Sequence, residues 1–533
     1  MIPTAQSTED GTPIREIQNG AVGEDRSNHK TDFNRVRGTN LQSRIQSTVQ
    51  PNLVLGICCL SLLMTGMDVT IVNVALPAIH RDFNAGVSGL QWLLDAYTLV
   101  LASLLILAGS MADRLGRHRV FQAGIALFTF GSLLCSLAPG IGFLIAFRAL
   151  QGVGASMLNP VAMSIITNTF DEPKARAKAI GVWGAVAGLA LAVGPLLGGA
   201  LTQFVGWRSI FWINLPIGIA AMVLTARFVP ESKAAKPRAV DPIGQFLVFL
   251  GLASLIYAII EGPHSGWNSG TIEVAFALSA AAVALLVLYE RRCTEPLLDL
   301  RFFGSVPFSS ATLIAVCAFS AFAGFLLLNA LYLQQVREFS PLISGICTLP
   351  VALMTILCAP ISARLVGAYG TKPSLLLAGL AMVISSLLLA RLSPDTPIPI
   401  LLLAYVVYGA GFAIVNIPMT HTAVSGMPRS QAGVAAAIAS TSRMVGGSLG
   451  VAVGGAIVDS GQARGINLAQ ATHPFWWIMA VCGAVVSFLG WATNTPWAKE
   501  TAQRVAHLLT EPADSGLTSE RNQKERGTPL VGK

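Results

Sequence analysis

Between residues 53 and 492 the chain passes through fourteen apolar stretches, each long enough to cross a bilayer. We place them at 53–76, 90–111, 120–138, 141–165, 179–201, 209–228, 243–260, 272–289, 308–331, 344–366, 373–392, 399–420, 433–458 and 474–492. A hydrocarbon core of about 30 Å is spanned by about twenty helical residues. Inside it every backbone N–H and C=O needs a partner within the protein, and an α-helix supplies one from its own segment. Only 12% of the 533 residues are charged, roughly half the share of a soluble domain. The sequence is therefore read as an all-α, polytopic membrane protein.

The formal charge of +8 could point to nucleic acid. The basic residues, however, lie in short loops between spans and not on one face, so no nucleic-acid partner is expected. With the N-terminus inside, the cytoplasmic loops hold Arg114, Arg117, Arg119, Lys174, Arg176, Lys178, Arg227, Lys233, Lys236, Arg238, Arg291, Arg292, Arg301, Arg364, Lys372 and Arg429. The outer loops hold Arg81, Arg208, Arg337, Arg391 and Arg464, one each. That bias predicts both termini in the cytoplasm. Six tryptophans (Trp92, Trp207, Trp267, Trp476, Trp491 and Trp497) fall near span ends, where an indole suits the headgroup region.

The eight cysteines lie mostly in apolar spans with no C-x-x-C pair and no Cys/His cluster, so neither metal nor cofactor is expected. The longest loop, about 229–242, is too short for an enzymatic domain, and the spans contain no nucleophile–base pair. Transport is the default reading and an enzyme is not expected. No apolar signal-peptide core precedes the first span.

A strongly basic turn, Gly109-Ser-Met-Ala-Asp-Arg-Leu-Gly-Arg-His-Arg-Val-Phe121, separates the second and third spans. It resembles the loop 2–3 signature of the major facilitator superfamily, departing from it at Met111, His118 and Phe121. Five further segments resemble that superfamily's fourteen-helix drug:proton antiporter branch, in order along the chain. They are Met67-Asp-Val-Thr-Ile-Val-Asn-Val-Ala-Leu-Pro-Ala-Ile79, Gln91-Trp-Leu-Leu-Asp-Ala-Tyr97 and Arg148-Ala-Leu-Gln-Gly-Val-Gly154, then Gly194-Pro-Leu-Leu-Gly-Gly199 and Trp207-Arg-Ser-Ile-Phe-Trp-Ile-Asn-Leu-Pro-Ile-Gly218. Ile260-Glu-Gly-Pro263 is also similar to that branch.

The resemblance implies a major facilitator fold of fourteen transmembrane helices, two pseudo-symmetric six-helix halves with two extra helices between them. The expected organisation is a disordered cytoplasmic tail at 1–51 and a first half at 52–228. A linker with the two extra helices at 229–290 follows, then a second half at 291–493 and a cytoplasmic tail at 494–533. That second tail is polar from about Lys499 and is expected to be mobile. The resemblance further implies that Gly109, Asp113, Arg114, Gly116, Arg117 and Arg119 form a conformational latch between the halves; for Arg117 and Arg119 plain topology is an equal reading. A faint echo of this turn, without the Asp, occurs at Ser362-Ala-Arg-Leu-Val-Gly-Ala-Tyr-Gly-Thr-Lys372, as repeated halves would produce.

Ionisable residues inside the spans are scarce: Asp68, Asp95, Arg148 and Arg443, with Glu261 at a span end. Counting along the helices puts Asp68 and Arg148 roughly 10–12 Å, and Asp95 roughly 8 Å, below the outer surface. Charges at such depth face a cavity or one another. We therefore expect Asp68 or Asp95 to take up a proton and Arg148 to modulate it; the bland alternative is a static Asp–Arg pair. Gly188, Gly194, Pro195, Gly198 and Gly199 make the fifth span smooth, and Pro195 is expected to break it. Candidate residues of a substrate cavity are Asn73, Gln151, Glu261, Asn416 and Arg443, the last either contacting substrate or pairing with Asn416. His80 and His421 read as surface histidines. With no acid in the tenth or thirteenth span, the cavity suits neutral or singly charged amphipathic molecules better than dications.

These readings converge on proton-coupled efflux of drugs or other amphipathic molecules across a bacterial inner membrane, a fungal membrane being the other setting. The partners are protons, a small-molecule substrate and the bilayer, with the protein a monomer or part of an export complex. A dedicated exporter of an endogenous metabolite or self-made antibiotic is the first alternative, and a non-transporting receptor or scaffold the second.

Overall fold

The computed structural model describes residues 50–234, 241–293, 299–427 and 432–510. Among these, fourteen helices are long and apolar enough to cross a membrane. The first six are α1 (Pro51–Phe83), α2 (Val87–Leu115), α3 (Arg117–Ser136), α4 (Ile141–Thr169), α5 (Lys174–Phe204) and α6 (Ser209–Phe228). Two more follow, α7 (Pro242–Ser265) and α8 (Gly270–Glu290). The last six are α9 (Val306–Val336), α10 (Pro341–Tyr369), α11 (Thr371–Leu389), α12 (Ile398–Val424), α13 (Val434–Ala463) and α14 (Leu468–Ala492).

The two sets of six pack alike. In the first, α1 lies on α5, α2 on α4, and α3 on α4 and α6; in the second, α9 lies on α13, α10 on α12, and α11 on α12 and α14. The halves meet along two equivalent seams, α2 with α13 and α5 with α10, while α1 touches α9. The α7–α8 hairpin packs through α7 onto α2 and α13.

Lipid tails are as apolar as leucine, so helix association inside a bilayer relies on close packing through small residues. Gly446 and Gly450 of α13 set their backbone against the Val316 and Ser320 carbonyls of α9, where no Cβ would fit. Gly409 does the same against Val351, and Gly345 against the carbonyl of Pro195. A stack of aromatic rings then fills the second half: Phe322 lies on Phe412 with centroids 4.2 Å apart, and Phe325 reaches Tyr405 and Tyr408.

The contacts between the halves gather toward the end of the bundle opposite the basic loops. There Gln334 Nε2 donates to Val74 O at 2.8 Å and Gln91 Nε2 to Ala452 O at 2.7 Å, and Gly199 packs against Pro341 and Leu342. Nearer the basic end, a Cβ added to Gly188 would still lie 3.6 Å from Ile356. Past that point Gly181 and Gly184 of α5 face open space. The bundle is closed at the far end.

Four expectations are corrected. Pro195 does not break its helix, which runs continuously through it. The turns around it are clamped, with Gly194 on Thr70, Gly198 on Ile71 and Gly345 on Pro195 itself. The fourth crossing, placed as one span at 141–165, is interrupted at Met157 and Leu158, just ahead of Pro160. The thirteenth runs on to Ala463 and so contains an acid, Asp459, 3.3 Å from His264 Nε2 of α7.

The fourth correction concerns the tail from Lys499, which starts not as a mobile segment but as an amphipathic helix, α15 (Pro496–Thr510). Its Ala498, Ala502 and Val505 are buried, and Val505 reaches Gly304. Thr501 Oγ1 accepts the Val306 N–H at 3.0 Å, and Arg301 Nη1 donates to Leu508 O at 3.2 Å. Residues 1–49 and 511–533, with Lys236, Arg238 and Arg429, lie outside the described residues.

Gly450→Val should push a branched side chain into the Ser320 backbone and cost about 1–3 kcal/mol. Thermal unfolding in detergent is expected to shift down by several degrees, whereas Gly367→Val, at an open position of α10, should leave the midpoint in place.

Candidate functional site

Of the two acids weighed as partners of Arg148 of α4, it is Asp68 of α1 that meets it, in a cluster closed to solvent. Arg148 Nη1 lies 2.5 Å from Asp68 Oδ2 and donates to Gln151 Oε1 at 2.7 Å, and its Nε donates to Leu93 O at 3.4 Å. The guanidinium carbon sits 4.2 Å from the centroid of the Tyr97 ring. Asp68 Oδ1 accepts from Gln151 Nε2 at 2.9 Å and Asn214 Nδ2 at 3.2 Å, while Ser132 Oγ accepts from both amides. Both charged groups thus have several partners each, which is what makes a buried ion pair tolerable in low dielectric. Asn214 was legible only as part of the Trp-Ile-Asn-Leu-Pro stretch, and nothing in the sequence singled out Ser132.

Asp95 is also fully buried but sits elsewhere, on the α2–α13 seam. Its Oδ1 accepts from Thr98 Oγ1 at 3.3 Å, and that hydroxyl lies 2.7 Å from Ser448 Oγ of the other half. Its Oδ2 has no partner. Among the described residues no cation pairs with Asp95. Of the three coupling candidates, then, the structure joins Asp68 to Arg148 and leaves Asp95 alone between the halves.

The basic turn is built on a single hinge residue. Gly116, φ +118°, links α2 to α3 directly, and a Cβ there would strike the Glu231 carboxylate. Gly370, φ +78°, links α10 to α11 in the same way, so the repeat echoed at 362–372 is real at the level of the backbone. Asp113 Oδ1 accepts from Arg117 Nη2 at 3.1 Å. The rest of the turn is strapped to the segment after α6. Arg117 N–H donates to Ser232 O at 2.9 Å, Ala234 N–H to Asp113 O at 3.3 Å, and His118 N–H to Glu231 Oε1 at 3.2 Å. His118 Nδ1 lies 2.6 Å from Val229 O and so carries the proton; Arg119 Nε is 3.5 Å from Glu231 Oε2. Glu231 was not anticipated, because a lone acid in a Pro/Lys-rich linker carries no spacing signal. Gly109 faces open space.

No hydrogen bond joins any two of the five cavity candidates among the described residues. Gln151 belongs to the Asp68 cluster. Glu261 Oε1 accepts from Trp92 Nε1 at 2.9 Å, tying α7 to α2. Asn73 Nδ2 donates to Val69 O at 2.8 Å, and its Oδ1 is buried without a partner. Asn416 Nδ2 donates to Phe412 O at 2.7 Å and not to Arg443. Arg443 Nη2 donates to Ser440 Oγ at 3.2 Å, and its Nε is buried with no acceptor. Of the fifth-span residues, Gly194 and Gly198 press on α1, Gly199 and Pro195 on α10, and a Cβ added to Gly188 would meet Ile356. His80 Nδ1 is 2.5 Å from Ala85 O, and His421 is exposed.

Comparison with known proteins places these features in a family. The sequence profile of the Major Facilitator Superfamily matches residues 58–451. The chain is 38% identical over 399 residues to the multidrug resistance protein Stp of Mycobacterium tuberculosis (strain CDC 1551 / Oshkosh), covering 75% of this chain and 74% of that one. It is 36% identical over 401 residues to the tetracenomycin C resistance and export protein of Streptomyces glaucescens, covering 75% and 74%. With the methylenomycin A resistance protein of Streptomyces coelicolor it shares 34% identity over 401 residues, covering 74% and 83%. Among solved structures, a D-xylose–proton symporter superposes with a TM-score of 0.60 at 17% identity, covering 84% of this chain and 98% of that one. The human organic anion transporter MFSD10 gives 0.58 at 18% identity, covering 82% and 99%. At such identities these two likenesses concern the fold alone.

The two buried aspartates should respond differently to neutralisation. Asp68→Asn leaves Arg148 without its counter-charge and should cost about 3–5 kcal/mol, the scale of a broken buried pair. Asp95→Asn removes no ion pair and should leave the thermal midpoint in detergent near that of the wild type.

Proposed function

The chain belongs to the major facilitator superfamily, and from that membership we propose a proton-coupled exporter of amphipathic small molecules that works by alternating access. The relatives named for multidrug resistance, tetracenomycin C export and methylenomycin A resistance support export as the direction and drug-like molecules as the cargo. By the positive-inside rule the basic end faces the cytoplasm. The closed far end then faces outward, which makes this conformation inward-facing. The setting we propose is a bacterial cytoplasmic membrane with both termini inside.

The observation that carries the coupling assignment is the solitary carboxyl of Asp95. It is buried, on the seam between halves, with one oxygen unpartnered and no cation paired to it among the described residues. An ionised carboxylate there would be uncompensated, so charge on this side chain is costly while the seam is shut. When the halves rock and the outer end opens, the α2–α13 seam is what parts, and Asp95 gains access to water outside. Proton uptake outside, closure and release inside then supply the drive for export. Asp68 and Arg148, with their partners complete, serve in this scheme as the fixed pair that holds the first half rigid. The strapped turn around Asp113 and Glu231 is the part of the latch that stays with the first half throughout the cycle.

The test is ethidium efflux from cells expressing the wild type, Asp95→Asn or Asp68→Asn, with and without an uncoupler. Wild-type efflux is expected to fall to background when the gradient collapses and in Asp95→Asn. Efflux that survives Asp95→Asn would overturn the assignment of the carrier. A folded wild type that moves no ethidium would favour the dedicated metabolite exporter over the drug pump.

A further inference from the structure

Two arginines lie deep in the bundle, and among the described residues only one has an acid. Arg148 has Asp68; Arg443, nine residues into α13 and so about 14 Å from the basic end of that helix, has none among the described residues. The acid within its own helix, Asp459, lies sixteen residues on, about 24 Å away, and pairs with His264. What Arg443 does have is one hydroxyl, Ser440 Oγ, and the ring of Phe319, whose centroid lies 6.0 Å from the guanidinium carbon. Its Nε is buried without an acceptor, and so is the neighbouring Thr441 Oγ1.

The surroundings are aromatic. Phe319 of α9 packs edge-on against Phe412 of α12 at 5.2 Å, and Phe322 stacks on the same ring. Phe319 and Arg443 are only partly buried, so both remain open to a ligand. Asn416 sits one turn beyond Phe412 on α12 and is partly buried as well.

We propose that Arg443 is the anion-recognising residue of the cargo site, and that the cargo it selects is an amphipathic organic anion bearing an aromatic ring. This rests on the export reading above and narrows its substrate class. A planar guanidinium forms two parallel charge-assisted bonds with a carboxylate. In Arg443, Nε has no acceptor, and Nη2, with two N–H groups, gives one to Ser440 Oγ. The Phe319–Phe412 edge offers the ligand's ring an apolar wall beside the charge. An uncompensated cation at this depth is costly, so an arriving anion is favoured by the protein's own unmet need as well as by the bond it forms.

The experiment is a binding comparison in maltoside micelles free of anionic lipid, using 1-naphthaleneacetate and its neutral isostere 1-naphthaleneacetamide, read by quenching of tryptophan fluorescence. The wild type is expected to prefer the carboxylate by about tenfold or more, the scale of a charge-assisted pair. Arg443→Gln should bring the ratio to within about twofold of one, and Arg443→Lys, which keeps the charge but loses the planar fork, should fall between. Equal wild-type affinities, no binding of either probe, or an Arg443→Gln protein that keeps the preference would overturn the proposal. The thermal midpoint of each variant separates a lost site from a lost fold. Because the readout is binding, a wild type that moves no ethidium would count against the drug-pump reading while leaving the carboxylate preference measurable on its own.

Discussion

In hydrocarbon a guanidinium is tolerated only inside a nearly complete set of acceptors, and the set around Arg148 organises the first half of the molecule. Asp68 comes from α1, the Leu93 carbonyl and the Tyr97 ring from α2, Ser132 from α3, Gln151 from α4 and Asn214 from α6. Five helices are thus tied at one point, and the sixth, α5, is held to α1 by the Gly194 and Gly198 contacts. Shifting any of these helices alone would strand a buried polar group. The half moves as a unit or not at all.

The seams between the halves are made differently. Along α5–α10 the contact is backbone on backbone, Gly199 against Pro341 and Gly345 against Pro195. Along α2–α13 it is a few polar bridges, Gln91 to Ala452 and Thr98 to Ser448. Neither seam contains an ion pair among the described residues. Contacts of this kind fit closely but leave no stranded charge when they part, because an amide or hydroxyl exposed by opening can turn to water. The strong interactions hold each body together, and the weaker ones lie where a two-state motion must make and break contacts.

Much of this was legible in advance, and the reason is the bilayer. Apolar runs, loop charges and the few charges inside spans are direct consequences of the solvent, so the fourteen crossings and the need of Asp68, Asp95 and Arg148 for partners could be read from residue types alone, whereas which acid meets Arg148 could not. Helix ends were read short because polar residues such as Arg81 and Asp82 look like loop although they continue α1 into the headgroup region. The same rule hid Asp459 at the end of α13. α15 escaped because its apolar stripe, Ala498, Ala502, Val505 and Leu509, is spread among charges, and hydropathy averages that pattern away. Pro195 misled because a local rule, the missing N–H, was outweighed by packing on both sides. Glu231 and Ser448 were invisible for another reason: each matters only through a partner more than a hundred residues distant in sequence.

The distribution of charge between the halves has an energetic consequence for the proposed cycle. The first half contributes the seam carboxyl and a neutralised pair; the second contributes a cation and, away from its ends, no acid among the described residues. A pump built this way has one carboxyl to load and no spare negative charge with which to hold a dication. An organic anion needs neither. Its exit down an inside-negative potential is favourable by about 2.3 kcal/mol per 100 mV for each charge, and a proton entering in exchange adds the same again. In the proposed cycle, one protonatable group on the seam and one arginine without an acid would therefore suffice for strongly driven export of a monoanion.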